Sequence, residues 1–315
     1  MALGGGHGLY ASLSALRTIT PHLTAIVTVA DDGGSSGRLR GELGIVPPGD
    51  LRMALSALCE DTEWGRTWRD VLQTRFSTDG PLDGHALGNL LIATLWERTG
   101  DVVEGLDWVA RLLRCVGRVL PLAQEPLDVH ATMIHDGHRT EVSGQQAVAT
   151  APGRVEDFRV LPLSPHVPQE TIEAIDAAEM VVLGPGSWYT SVLTHFMVEP
   201  VREALLRARQ RTVLTLNIAH EDPETAGTGR VDDIEALRGL VPEFRPAMVI
   251  ADASHASDQG LAEVVHEWGT ELTVTPLAAS GAVDRHDVVL LAAQYAHAAR
   301  QLAPSAGQQQ RWMAG

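Results

Sequence analysis

Lysine is absent from this chain: all 24 basic residues are arginine. A lysine Schiff base and a Walker-type phosphate-binding lysine are therefore excluded. Cysteine is nearly absent too. Cys59 and Cys115 stand far apart and form no CxxC pair, which excludes a disulfide scaffold and leaves buried thiols as the reading. Aromatic residues make up only 4% of the chain, a thin supply for stacking a flat ring system. Long hydrophobic runs are missing: Met180–Leu183 and Ala247–Ala251 fall far short of the ~20 residues that span a bilayer. No secretory leader is visible, since Met1 leads straight into a glycine cluster. The expectation is a cytoplasmic protein without a membrane span.

What is there describes a folded globular chain. It has 315 residues, 44% of them apolar and 20% charged, enough for a full core without staples. The formal charge of −16 repels polyanions at long range, which argues against nucleic acid as a partner. A small phosphorylated ligand remains compatible, because a local arginine or a helix N-terminus can hold it.

The pattern predicts an α/β fold, a doubly wound, mostly parallel Rossmann-like sheet with a helical insertion after the second strand. Ala2-Leu3 reads as a strand stub, Gly4–Gly8 as a turn, Leu9–Thr18 as a helix and Thr24–Ala30 as a strand buried on both faces. Two residues are too few for a central strand of about five or six, so either the natural start lies upstream of Met1 or this strand is unusually short. Apolar residues at helical spacing mark an insertion at about 48–118. Extended segments follow at Val119–Leu122, Val129–His135 and Phe158–Leu163, with Asp136-Gly137 as a hairpin turn. Strands Met180–Leu183, Thr212–Ile218, Ala247–Ala251 and Glu271–Pro276 then alternate with helices from Trp188, Asp232, Leu261 and Asp287. The expected organisation is one domain over 1–302 and a frayed tail over 303–315.

The special residues fall at predicted strand ends, where ligands of doubly wound sheets sit. Gly6-x-Gly8-x-x-Ala11 matches the dinucleotide fingerprint in its alanine form, although a purely structural tight turn reads the same way. Asp31 lies 20 residues beyond Ala11, where a nicotinamide-binding protein holds its ribose. Asp31-Asp32 followed by Gly-Gly-Ser-Ser-Gly-Arg suits another task as well: adjacent side chains leaving a strand point opposite ways, so one acid can face the crevice while the other anchors the loop. Asp50 opens a helix as a plain cap, or joins Asp31 or Asp32 around a Mg²⁺, with Arg38, Arg40 and Arg52 neutralising a diphosphate. His85 and Asn89 share a helical face, as core groups or as ligand contacts. Gly184-Pro185-Gly186-Ser187 is a second glycine turn before a helix. Asn217 ends the next strand, and Arg285-His286-Asp287 starts the last helix.

Gly4–Leu9, Val27–Arg40, Pro47–Arg52, Gly84–Asn89 and Gly184–Ser191 together resemble the YvcK/CofD-like family, closest to its YvcK branch, the gluconeogenesis factors. The resemblance is dense over residues 2–252. It implies a protein that binds a nucleotide sugar such as UDP-N-acetylglucosamine and supports cell-wall synthesis and cell shape during gluconeogenic growth. The CofD branch implies an alternative, a Mg²⁺-dependent transfer of a phospholactyl group from a nucleotide diphosphate donor. Carried over by position, Gly5, Gly6, His7, Gly8, Ser35, Ser36, Arg38, Asn89, Gly184, Gly186, Ser187, Asn217 and Arg285 would contact the ligand. Asp32 and Asp50 would hold a metal, and Asp31, Asp32 and Asp50 would act if the protein is an enzyme. Homo-oligomers and cell-wall regulatory proteins are the partners to expect. His7 departs from the usual Thr, and Asn217-Ile218-Ala219-His220 departs from the family's Asn-x-Met-Thr-Gln.

Overall fold

The structure is a computed structural model and describes residues 1–218 and 229–303. The chain opens with β1 (Ala2–Gly4), α1 (Gly6–Leu16) and β2 (Thr24–Val27). Four helices follow: α2 (Gly34–Leu43), α3 (Gly49–Leu58), α4 (Glu63–Gln73) and α5 (Leu87–Thr99). Then come α6 (Val102–Leu113), β3 (Arg118–Pro121), β4 (Asp128–His135), β5 (His138–Ser143), α7 (Gln145–Thr150) and β6 (Arg154–Leu161). The second half contains α8 (Gln169–Ala177), β7 (Val181–Leu183), a π-helical turn (Trp188–Leu193), α9 (Thr194–Met197), α10 (Glu199–Ala208) and β8 (Thr212–Thr215). It closes with α11 (Arg230–Leu240), β9 (Met248–Asp252), α12 (Gln259–Glu267), β10 (Glu271–Thr275), β11 (Ala278–Ala279), β12 (Ala282–His286) and α13 (Val288–Leu302).

Seven strands form one parallel sheet in the order β10-β9-β8-β7-β1-β2-β3. Its inner strands are mostly apolar and almost wholly buried, as strands with helices on both faces are. Leu3 stands level with Ile26 on one side and Leu183 on the other, and all three are fully buried. Each such side chain contributes roughly 1.5–3 kcal/mol of burial. The chain runs from β1 outward through β2 to β3, then returns and runs from β7 to β10 on the opposite side. The order therefore reverses between β1 and β7, and the carboxyl ends of those two strands are neighbours.

The helical content between β2 and β3 is larger than the periodicity predicts, because it begins at α2 rather than near residue 48. The Gly-Gly-Ser-Ser-Gly-Arg run is the first turns of that helix, not a loop. Three glycines hide it from propensity, but Ser35, Ser36 and Leu39 are buried, and Gly44 ends it in a left-handed cap with φ of 66°. A second, smaller antiparallel sheet, β5-β4-β6, stands outside the parallel one. Asp136 and Gly137, with φ of 49° and 77°, make its hairpin turn, as their sequence suggests. The last element of the expected plan, the tail from residue 304 onward, lies outside the described residues, as do Ala219 and His220.

Candidate functional site

The two glycine turns follow β1 and β7, so they meet at the reversal point of the sheet. They touch backbone to backbone. A Cβ on Gly8 would lie 2.2 Å from the Pro185 carbonyl oxygen and 2.8 Å from the Gly186 Cα, which only glycine permits. Asn217, at the end of the neighbouring β8, clamps the second turn: its Oδ1 accepts from the Gly186 N–H at 2.8 Å and its Nδ2 donates to the Gly186 carbonyl at 2.9 Å. Gly184 has no room for a side chain either, since a Cβ there would lie 2.7 Å from the Thr215 carbonyl oxygen. Space opens on the other side of the first turn, where a Cβ on Gly6 would have only Asp50 Oδ1 within 4 Å, at 3.9 Å.

Asp50 is the centre of the polar cluster. Its carboxylate accepts from the Gly6 N–H and from the Thr28 hydroxyl at 3.4 Å. A Cβ on Gly5 would lie 2.5 Å from Asp50 Oδ2 and from Thr28 Oγ1, and 3.2 Å from Ser191 Oγ, so glycine lets these three groups approach one spot. Although Asp50 keeps some exposed surface, desolvation raises its carboxyl from 3.8 to about 7. The charge of Asp31 pushes the same way; the Gly6 and Thr28 hydrogen bonds and Arg52 oppose it.

Asp31 and Asp32 separate as alternate side chains should. Asp31 accepts from the Gly33 N–H at 3.0 Å, and its Oδ2 would lie 2.6 Å from a Cβ on Gly49, beside Ser36 Oγ. Asp32 turns away to accept from the Gln146 N–H at 2.8 Å, holding the start of α7. The acid facing Asp50 is therefore Asp31, not Asp32. Asp32, carried over by position as the partner of Asp50, instead has its Oδ1 taken by the start of α7.

Four elements begin around this cluster without a side-chain cap from their own first residue: α1 at Gly5, whose Gly6 N–H is taken by Asp50, α2 at Gly33, α3 at Pro48 and the π-helical turn at Ser187. Their first N–H groups and dipoles suit an anion. His7 is exposed on the first turn of α1, and Ser187 is half-buried.

Behind the rim a buried network locks α2, α3 and α5 together. Ser35 Oγ meets His85 Nδ1 at 3.0 Å and accepts from Asn89 Nδ2 at 3.0 Å; Asn89 Oδ1 accepts from Arg52 Nε at 2.9 Å. Arg52 is 4% exposed and its Nη1 has no partner. Ser35 and Asn89 thus have protein partners. Arg38 and Arg40, expected beside a diphosphate, are engaged elsewhere: Arg38 donates to the Pro81 and Asp83 carbonyls, and Arg40 to Leu127 and Asp128. Arg285 is exposed on the β11–β12 hairpin, while its neighbour His286 reaches the Leu216 carbonyl beside Asn217.

Ser191 closes the second glycine-turn motif read from the sequence, whereas Thr28 is not singled out there. Thr28 directly follows β2, the strand beside β1, and Ser191 lies in the π-helical turn that follows the second glycine turn. Beside the π-helical turn lies a cavity of about 390 Å³, lined by Phe158, Tyr189, Glu156, Asp157, Asp232 and Glu235 among others. Among the described residues there is no group of three or more metal-ligating side chains, and no helix is long and apolar enough to cross a membrane.

A family model described as 2-phospho-L-lactate transferase CofD matches residues 1–280. A Mycobacterium tuberculosis protein named "Putative gluconeogenesis factor" is 46% identical over 278 residues, covering 86% of this chain and 81% of its own. The Bacillus subtilis gluconeogenesis factor is 39% identical over 234 residues, covering 74% and 72%. The crystal structure of a UPF0052 family protein from Bacillus halodurans superposes with a TM-score of 0.83 at 32% identity, covering 93% of this chain and 96% of that one. A shared Rossmann-like sheet, a matched model over nearly the whole chain and close relatives of one name agree: the chain belongs to the CofD/UPF0052 family and has the gluconeogenesis factors as its relatives.

Proposed function

We propose that the protein binds a nucleotide diphosphate sugar of the UDP-N-acetylglucosamine kind at the rim where β1 meets β7. It acts in the cytoplasm as a non-catalytic binder that relays cell-wall precursor supply. The observation that carries this reading is the convergence of uncapped element starts around Gly5, Gly33, Pro48 and Ser187. Such starts present N–H groups that a diphosphate satisfies without any lysine. The direct contact of Gly8 with Pro185 leaves no room between the turns at that level, so the diphosphate lies on the open side of Gly6. The sugar end extends toward the cavity beside the π-helical turn. There the Phe158–Tyr189 pair, with ring centroids 5.7 Å apart, offers an apolar wall, and Glu156, Asp157, Asp232 and Glu235 offer acceptors for hydroxyls.

A second reading is favoured by one feature, the facing carboxylates Asp31 and Asp50. Two acids with oxygen donors from Thr28 and Ser36 nearby fit Mg²⁺, which takes few carboxylates and keeps waters and phosphates. Asp31 and Asp50 would hold that ion, and it would neutralise diphosphate charge. This is the arrangement a transferase moving a phospholactyl-type group would need.

Titration calorimetry against UDP-N-acetylglucosamine, GDP and NAD, each with and without Mg²⁺, decides between the readings. UDP-sugar binding without NAD binding is expected. GDP binding that requires Mg²⁺, with no UDP-sugar binding, would establish the transferase reading instead. In the Mg²⁺ arm of the same assay, where Asp31 would hold the ion, Asp31→Asn should weaken the ligand at least about tenfold, about 1.4 kcal/mol. Asp32→Asn should leave affinity nearly unchanged, and a reversed ranking would remove Asp31 from the site.

A further inference from the structure

The two cysteines, 56 positions apart in sequence, are brought together by the helical insertion. Cys59 caps the C-terminus of α3, and Cys115 follows the left-handed end of α6 at Arg114. The two backbones run side by side there, because the Val116 N–H donates to the Leu58 carbonyl at 2.8 Å. Both thiols converge on a single acceptor: Cys59 Sγ lies 3.5 Å and Cys115 Sγ 3.4 Å from the Leu55 carbonyl oxygen. Cys59 is buried, while Cys115 is partly exposed and gives the pair an opening to solvent.

We propose that Cys59 and Cys115 are a redox modification site, a dithiol that peroxides convert to an intramolecular disulfide. The two sulfurs have unequal roles. The hydrogen bond from Cys115 and the cationic Arg69 and Arg17 pull the Cys59 thiol down against its burial, and the same hydrogen bond and burial push Cys115 up. Cys59 is therefore the attacking sulfur and Cys115 the resolving one. In the first step the Cys59 thiolate attacks one peroxide oxygen; an S–O bond forms, the O–O bond breaks, and hydroxide leaves and takes up a proton as water. In the second step the Cys115 sulfur attacks the Cys59 sulfenic acid. An S–S bond forms, the S–O bond breaks, and the departing hydroxyl takes the Cys115 proton as a second water. Two thiols lose two electrons in all, and one peroxide becomes two waters.

The bond would tie the end of α3, whose first turn carries Asp50, to the segment that leads into β3. It closes a loop spanning α4, α5 and α6 and so restricts the unfolded chain.

The test uses the whole chain, treated with hydrogen peroxide, unfolded in N-ethylmaleimide and weighed intact and as peptides. Expected are a monomer lighter by two hydrogens, no alkylated thiol, one linked peptide pair containing Cys59 and Cys115, and reversal by dithiothreitol. The oxidised protein should also melt at a higher temperature than the reduced one. Cys115→Ser, which keeps the small polar shape, should stop at a Cys59 sulfenic acid that dimedone traps. Two untouched thiols, disulfide-linked dimers in place of the internal bond, or Cys59 oxidised to sulfinic acid without a linked peptide would each overturn the proposal.

Discussion

Two helices of the insertion, α4 and α6, begin differently from the elements that start at the rim of the parallel sheet. In α4 the Thr62 hydroxyl accepts from the Gly65 N–H, and in α6 the Asp101 carboxylate accepts from the Glu104 N–H at 2.7 Å. At the rim, α1, α2, α3 and the π-helical turn start on Gly5, Gly33, Pro48 and Ser187, none with a capping side chain. An N-terminal cap stabilises a helix by about 1 kcal/mol, so leaving four starts uncapped in one place costs stability. α4 and α6 close their own first turns; the rim starts leave theirs open, beside glycines and a neutral-leaning acid, where the proposed ligand would bind.

Asp50 offers the strongest means of breaking that contrast. Its carboxyl sits at 3.8 unfolded and about 7 folded, so between these values the folded state binds more protons. The stabilisation is complete below about pH 4 and is lost as pH rises through about 7, a change of up to about 4 kcal/mol. Asp50→Asn removes that titration. Urea unfolding of the ligand-free protein should show the variant gaining on the parent from about pH 5 to about pH 8, and parallel curves would show that Asp50 is not held against its charge.

Gly8→Ala comes next. A methyl 2.2 Å from the Pro185 oxygen meets backbone, which cannot swing aside, so a loss of about 3 kcal/mol is expected from overpacking. Urea unfolding measures it; a loss below about 1 kcal/mol would mean that the two turns are not locked together. The smallest effect belongs to the insertion: Asp101→Ala should cost about 1 kcal/mol in the same assay and leave ligand affinity unchanged. A change in affinity would erase the separation of the two regions.

Much of the sheet is legible in the sequence because its buried strands are short apolar runs between glycine turns. Met180–Leu183 and Ala247–Ala251 fall within a residue of β7 and β9. The Asp136-Gly137 hairpin is equally legible, since few residue pairs tolerate two positive φ angles in succession. The helix α2 is not, because glycines and serines favour loops unless tertiary packing buries Ser35, Ser36 and Leu39. Nor are α7 and α8, short helices with few buried residues each. At the site the residue types are legible and their partners are not. Asn217 reads as a candidate ligand contact, yet both ends of its amide hold Gly186.

By itself the sequence determined the α/β alternation, the two glycine turns, the absence of lysine chemistry and the pair of acids after β2. These follow from local rules: periodicity, residue type and the conformations glycine alone adopts readily. Only the tertiary structure decided that the charge of Asp31 acts on Asp50 while Asp32 bonds α7, that Arg38 and Arg40 bond carbonyls and Asp128, and that Cys59 meets Cys115. Each depends on which segments the strand order brings side by side, and sequence distance does not measure that proximity.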